Sequence, residues 1–151
     1  EVYGIDYVAF RYGNVFGPRQ NPNGEAGVIA IFANKFLKNE QPVINGDGLI
    51  TRDYIYISDV VEANKIALQQ NVSGIFNITT GIETNVNHIF KVLKEKTKSD
   101  LPEFHGEAKK GEQRRSVCSY EKFNNLHNWS PKISFEEGID KTVEYFKSNI
   151  K

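Results

Sequence analysis

Apolar residues change their period along this chain, and that alternation restricts the possible folds more than any other feature. From Gly27 the positions Ile29, Phe32, Ala33 and Phe36 follow the i, i+3, i+4, i+7 spacing of one helical face, which predicts a helix to about Lys38. Before it, Asp6-Tyr7-Val8-Ala9-Phe10-Arg11-Tyr12 is rich in β-branched and aromatic residues and runs into Gly13-Asn14 and Gly17-Pro18, predicting a strand that ends in a loop. After it, Val43-Ile44 and Asp53-Tyr54-Ile55-Tyr56-Ile57 read as short strands joined through Asn45-Gly46-Asp47-Gly48, residues that tolerate positive φ. Asp59 and Glu62 have the spacing of a capping box for a helix from Val60 to about Gln70, and Ile75-Phe76-Asn77-Ile78 reads as a buried strand. Helical spacing returns at Val86, Ile89, Phe90 and Leu93, and again at Ile139, Val143, Phe146 and Ile150 behind a Ser134/Glu137 cap. The two periods alternate without an internal repeat or a linker, so the class is α/β, in one domain of 151 residues.

Charge and composition narrow the partners. The 19 basic and 19 acidic side chains cancel, so no net field favours a nucleic-acid backbone or an anionic membrane. No run approaches the roughly 18 to 20 apolar residues that span a bilayer, and Glu1-Val2-Tyr3-Gly4-Ile5-Asp6 lacks the basic start of a signal peptide; the expected location is the cytoplasm. The triplets at Asn71, Asn77 and Asn128 then read as chance matches to the glycosylation pattern. Cys118 is the single cysteine and is expected to be a semi-buried thiol. His88, His105 and His127 lack the i, i+4 spacing of a zinc pair, and no metal is expected. The chain contains no methionine, as a processed protein or a piece of a longer chain would.

Residues at strand ends and in loops form the candidate site. Asn14, Arg52 and the basic segment around Lys109 and Arg114 together suggest an anion site, because a guanidinium fork matches phosphate oxygens and loop lysines add charge. Taken alone, Arg52 reads first as a surface ion pair with a residue such as Asp53, and Lys109-Lys110 with Arg114-Arg115 as a solvated loop. Gly46-x-Gly48 is too short for a dinucleotide fingerprint and reads as a turn. Tyr12, Tyr54 and Tyr56 read as packing groups, and Tyr12 is the candidate for the cofactor side because it can also lie against a flat ring.

At Arg11-Tyr12-Gly13-Asn14-Val15-Phe16-Gly17-Pro18-Arg19-Gln20 the sequence resembles extended short-chain dehydrogenases/reductases acting on nucleotide sugars, the NAD-dependent epimerase/dehydratase type. The resemblance continues through Gly24-Glu25-Ala26-Gly27-Val28-Ile29, Pro42-Val43-Ile44-Asn45-Gly46-Asp47-Gly48, Thr51-Arg52-Asp53-Tyr54-Ile55-Tyr56-Ile57-Ser58-Asp59-Val60, Gly111-Glu112-Gln113-Arg114-Arg115-Ser116 and Trp129-Ser130-Pro131-Lys132. It implies the carboxyl-terminal, substrate-binding part of a Rossmann-type enzyme, most like the UDP-glucose 4-epimerase branch, with the amino-terminal NAD-binding domain outside the chain. It further implies that Asn14 donates to the diphosphate of a UDP-sugar, that Arg52 pairs with the same diphosphate, that Val28 and Ile44 enclose the uracil, and that Glu112 reaches the ribose hydroxyls. On that basis Arg52 is a ligand residue rather than a surface ion pair.

Two departures accompany the resemblance. Lys109 stands where the family carries a second phosphate-binding arginine, which keeps the charge and loses the bidentate fork. The family's Tyr-x-x-x-Lys pair and glycine-rich NAD loop are not in this sequence; Tyr3-Gly4-Ile5-Asp6, for instance, is followed by no lysine at the fourth position. The parent enzyme, a homodimer in the family pattern, would oxidise the sugar at C4, let the keto intermediate turn and reduce its other face, while this chain alone would be inactive. A nucleotide-sugar 4,6-dehydratase or UDP-glucuronate decarboxylase shares the scaffold and is the rival within the enzymes. A stand-alone, non-catalytic sugar-nucleotide-binding module is the rival outside them. Without the dinucleotide-binding sheet the chain is expected to expose apolar surface and to self-associate or be weakly stable.

Overall fold

The computed structural model describes residues 4, 6–23 and 27–149. The predicted Gly24-Glu25-Ala26 motif, Ile150 of the last helical face, and the opening Glu1-Val2-Tyr3 and Ile5 lie outside them. Strand β1 (Val8–Tyr12) pairs in parallel with β5 (Gly74–Ile78), so the predicted first strand forms but is shorter. At Gly13 the chain changes partner: its N–H still donates to the Ile78 carbonyl, 3.0 Å away, and the next three residues, β2 (Asn14–Phe16), pair instead with β4 (Thr51–Tyr56). A Cβ at Gly13 would lie 2.9 Å from the Asp53 carbonyl oxygen, so only glycine lets the strands cross that closely. Asn14 therefore opens a strand and does not sit in a loop as expected.

Strand β4 is the centre of the second sheet. Its carboxyl-terminal half pairs with β2, while Thr51–Asp53 pairs antiparallel with β6 (Glu83–Asn85) and Thr51 and Arg52 pair in parallel with β8 (Arg115–Ser116). The strand starts and ends earlier than its apolar run suggests, because Ile57 is already the first residue of helix α2 (Ile57–Gln69). A third pair joins β3 (Ile44–Asn45) to β7 (His105–Gly106). The remaining helices are α1 (Val28–Leu37), α3 (Val86–Thr97), α4 (Glu121–His127) and α5 (Phe135–Asn149).

Two apolar clusters flank β4, as the two-residue period of a strand requires. Tyr54 and Tyr56 join Phe16, Ile44 and the inner faces of α1, α3 and α5; Ile55 points the other way, to Val60, Phe76, Phe123 and Trp129. Burying carboxylates among these groups is costly unless each is hydrogen-bonded, and both buried aspartates are. Asp53 accepts from the Thr80 N–H and hydroxyl at 2.8 and 2.7 Å and from the Gly81 N–H at 2.8 Å. Asp59 was expected to cap a helix at Val60. It lies instead inside the first turn of α2 and accepts from the Ile133 N–H at 3.2 Å, because a distant backbone donor reaches it within the fold. The Ser134 cap forms as expected, its hydroxyl oxygen accepting from the Glu137 N–H at 3.1 Å. Cys118 is exposed rather than semi-buried, carried on the connection from β8 to α4.

Helix α5 meets β2 and β4 through Gly138. A Cβ there would lie 2.7 Å from the Phe16 ring and 3.0 Å from the Tyr56 ring. Gly138→Ala is expected to destabilise the chain by about 1–3 kcal/mol through overpacking, against the roughly 1 kcal/mol that alanine gains in a helix. Urea denaturation checks this: the midpoint falls at unchanged slope, and a rise would contradict the packing.

Candidate functional site

A cleft of about 610 Å³ opens between β2, the start of α1, β3, β4 and the segment after β7. Asn14 reaches it as the first residue of β2, and Arg52 and Tyr54 reach it from the same face of β4. Val28, Ile31 and Phe32 supply an apolar wall from α1, and Lys109 and Glu112 come from the segment between β7 and β8. Gly27 precedes α1 and gives its first-turn N–H groups no side-chain cap.

Arg52 does not pair with Asp53, whose carboxylate faces away toward Thr80 and Gly81. Its Nη1 donates to the Thr51 and Gln113 carbonyl oxygens at 2.8 and 2.7 Å, and its Nη2 lies 3.6 Å from Glu112 Oε1. Successive residues of a strand point to opposite faces, which separates Arg52 from its neighbour Asp53. Beside it, burial pushes the Tyr54 phenol up to about 12, the nearby Arg52 charge opposing and Glu112 adding to the shift. The phenol therefore stays protonated across the physiological range.

The segment 106–115 is anchored at both ends. Gly106 belongs to the β3–β7 pair, where His105 Nδ1 lies 2.6 Å from the Gly46 carbonyl and Nε2 lies 2.7 Å from Glu103. At the other end Arg114 donates to Asp47 at 2.9 Å and Arg115 Nε to Glu83 at 2.7 Å, and Glu83 also accepts from the Thr51 hydroxyl at 2.8 Å. Of the predicted basic groups, Lys109 thus faces the cleft, while Arg114 and Arg115 hold the segment in place.

Ile44 does not line the cleft. It is completely buried in the core, while Val43 and Asn45 on either side face the cleft, so the strand alternation runs one residue out of phase with the expectation. Tyr12 is half exposed, exchanges hydrogen bonds with Asn64, and lines a separate cavity of about 150 Å³ that shares Gly13, Asn14 and Arg52 with the main cleft. Sequence reasoning missed Tyr54, Val43, Asn45 and Gln20 as cleft residues; the period of β4 would have placed Tyr54 beside Arg52. Where β4 and β6 run directly into α2 and α3, the residues are Tyr56-Ile57-Ser58-Asp59 and Asn85-Val86-Asn87-His88, and neither junction has the glycines that let a backbone cradle a dinucleotide pyrophosphate. Neither of these two junctions by itself fits the pyrophosphate of NAD. Among the described residues no helix is long and apolar enough to cross a membrane.

Glu83 is held below the ordinary carboxylate value of 4.5, first by Arg115 and then by Thr51. A lowered folded-state value stabilises above the unfolded one and is lost as pH falls through the folded one. Glu83→Gln is therefore expected to lower the melting temperature at pH 7, with the wild-type and variant curves converging as the pH drops below 4.5; a gap that stays constant into acid would show that the ion pair contributes nothing.

The sequence model of the NAD dependent epimerase/dehydratase family matches residues 1–79. A UDP-glucose 4-epimerase of Mycolicibacterium smegmatis is 38% identical over 149 residues, 97% of this chain and 47% of that protein. Among solved structures, the UDP-glucose 4-epimerase of Thermotoga maritima with UDP-glucose superposes with a TM-score of 0.95 at 46% identity, over 99% of this chain and 48% of the other. The Thermus thermophilus UDP-glucose 4-epimerase in complex with NAD gives 0.89 at 38% identity, over 99% and 49%. The chain thus spans about half the length of these relatives. With its α/β fold and parallel strand pairs, the chain belongs to the NAD-dependent epimerase/dehydratase family.

Proposed function

We propose that this chain is the nucleotide-sugar-binding part of an NAD-dependent UDP-glucose 4-epimerase. The observation that carries the reading is the convergence of Asn14, Arg52 and Lys109 on one cleft that also has an apolar wall, from Val28, Ile31 and Phe32. A nucleoside diphosphate needs that combination: donors and positive charge for the phosphates, and an apolar slot for the base. In this reading Asn14 and Arg52 hold the diphosphate, Lys109 adds charge without a bidentate fork, Val28 with Val43 flanks the uracil, and Glu112 accepts from the ribose hydroxyls. Tyr54 stays protonated beside Arg52 and serves as a neutral wall and donor.

Hydride chemistry at C4, which NAD supplies in such an enzyme, is assigned to a part of the protein outside this chain. Support comes from the sequence, in which none of the seven tyrosines is followed by a lysine at the fourth position. It also comes from β1, which pairs with β5 along one edge and has no second strand among the described residues, while Tyr7, Val8, Val61, Leu68 and Ile75 are exposed around that sheet and α2. An open edge of a parallel strand with exposed apolar neighbours is a surface that another part of a protein covers.

Calorimetric titration with UDP, UDP-glucose and NAD tests the assignment. Both UDP compounds are expected to bind, NAD is not, and Arg52→Ala is expected to weaken UDP-glucose about 10- to 100-fold, the loss of a charge-assisted hydrogen-bond pair. Equal binding by the Arg52→Ala chain would refute the role given to this residue.

A further inference from the structure

The Arg52 guanidinium is already engaged on two sides. Nη1 is held by the Thr51 and Gln113 carbonyl oxygens, and the protein's own carboxylate, Glu112, faces Nη2 at 3.6 Å. A phosphate approaching Nη2 from the cleft meets that carboxylate, a like charge competing for the same donor. Both partners are partly shielded, with side-chain exposures of 21% for Arg52 and 35% for Glu112, so solvent does not fully screen the competition.

The surrounding chain lets Glu112 yield without disturbing Arg52. Immediately before it, Gly111 has φ +78 and open space where a Cβ would stand. Immediately after it, the Gln113 carbonyl is fixed by Arg52, Arg114 by Asp47 and Arg115 by Glu83. Withdrawal of Glu112 is therefore a local swing about Gly111 between fixed ends.

We propose that Glu112 is a selectivity residue of the Arg52 site, an internal anion that rejects bare phosphates and admits nucleoside diphosphates. Displacing the carboxylate is costly when the incoming ligand offers it nothing, as with inorganic pyrophosphate, which also adds negative charge next to it. A ligand carrying ribose supplies hydroxyl donors that the displaced carboxylate accepts, which offsets the loss of Arg52. The proposal rests on the nucleotide-sugar reading of the cleft and adds to it a mechanism by which free phosphate and pyrophosphate, chemically similar at the diphosphate, are kept out.

Titration of the chain and of Glu112→Gln and Glu112→Ala with inorganic pyrophosphate and with UDP, at fixed ionic strength, decides the matter. Both variants are expected to bind pyrophosphate about three- to tenfold tighter and UDP no tighter, so that the preference for the nucleotide falls by at least that factor. The pyrophosphate gain is expected to vanish in an Arg52→Ala background, which a general loosening of the segment would not produce. Pyrophosphate binding that is unchanged or weaker in both variants, or undetectable in every form, overturns the role of Glu112. UDP that fails to bind, or fails to compete with bound pyrophosphate, counts instead against the nucleotide-sugar reading, and the pyrophosphate comparison still judges Glu112 by itself.

Discussion

Strand β4 carries both the core and the cleft, and its two-residue period is the constraint from which the other features follow. Tyr54 and Tyr56 pack toward the three-helix side, Ile55 packs toward α2 and β5, and Arg52 shares the cleft-facing side with Tyr54. Asp53, on the opposite face, is the price of this placement: a buried carboxylate that only three donors from Thr80 and Gly81 make tolerable. Those bonds tie the loop after β5 to the middle of β4. Gly13 lets the junction of β1 and β2 pass close to Asp53 of the same strand, so that Asn14 enters the cleft that Arg52 also lines.

The electrostatics of the cleft are asymmetric. Four cations stand on the segment 106–115, yet two of them, Arg114 and Arg115, are neutralised by Asp47 and Glu83 and act as fasteners. Lys109 is the cation of this segment that lines the cleft, and Arg52 faces it from β4 with Glu112 alongside. The segment thus presents a lysine and a glutamate to the cleft between two fixed ends, an arrangement suited to recognising a ligand that carries both negative charge and hydroxyl donors.

Long periodic elements were legible in the sequence because many residues vote for the same face. Helices α1, α3 and α5 fall where Ile29, Phe32, Ile89, Leu93, Ile139 and Val143 placed them. Most elements of two or three residues were not legible: β6, β7 and β8 owe their existence to β4 and β3 as partners, and no local pattern distinguishes Arg115-Ser116 from loop. The family resemblance put Ile44 on the cleft, whereas the strand alternation gives it to the core. Asp59 had the spacing of a cap, but the tertiary donor at Ile133 decided its role. Within the cleft, Asn14, Arg52 and Lys109 were legible as an anion site from their residue types, Glu112 and the individual roles came through a family resemblance, and the aromatic wall at Tyr54 needed only the period of its strand.

A crystal structure of this chain grown with UDP-glucose is the most direct measurement. The expected result is a diphosphate within hydrogen-bonding distance of Asn14 and Arg52, the uracil against the Val28 side of the cleft, and Glu112 withdrawn from Arg52 toward the ribose. A nucleotide sugar bound away from Asn14 and Arg52, or bound in the cleft with the Arg52–Glu112 pair undisturbed, would contradict the reading of this cleft as the nucleotide-sugar site gated by Glu112.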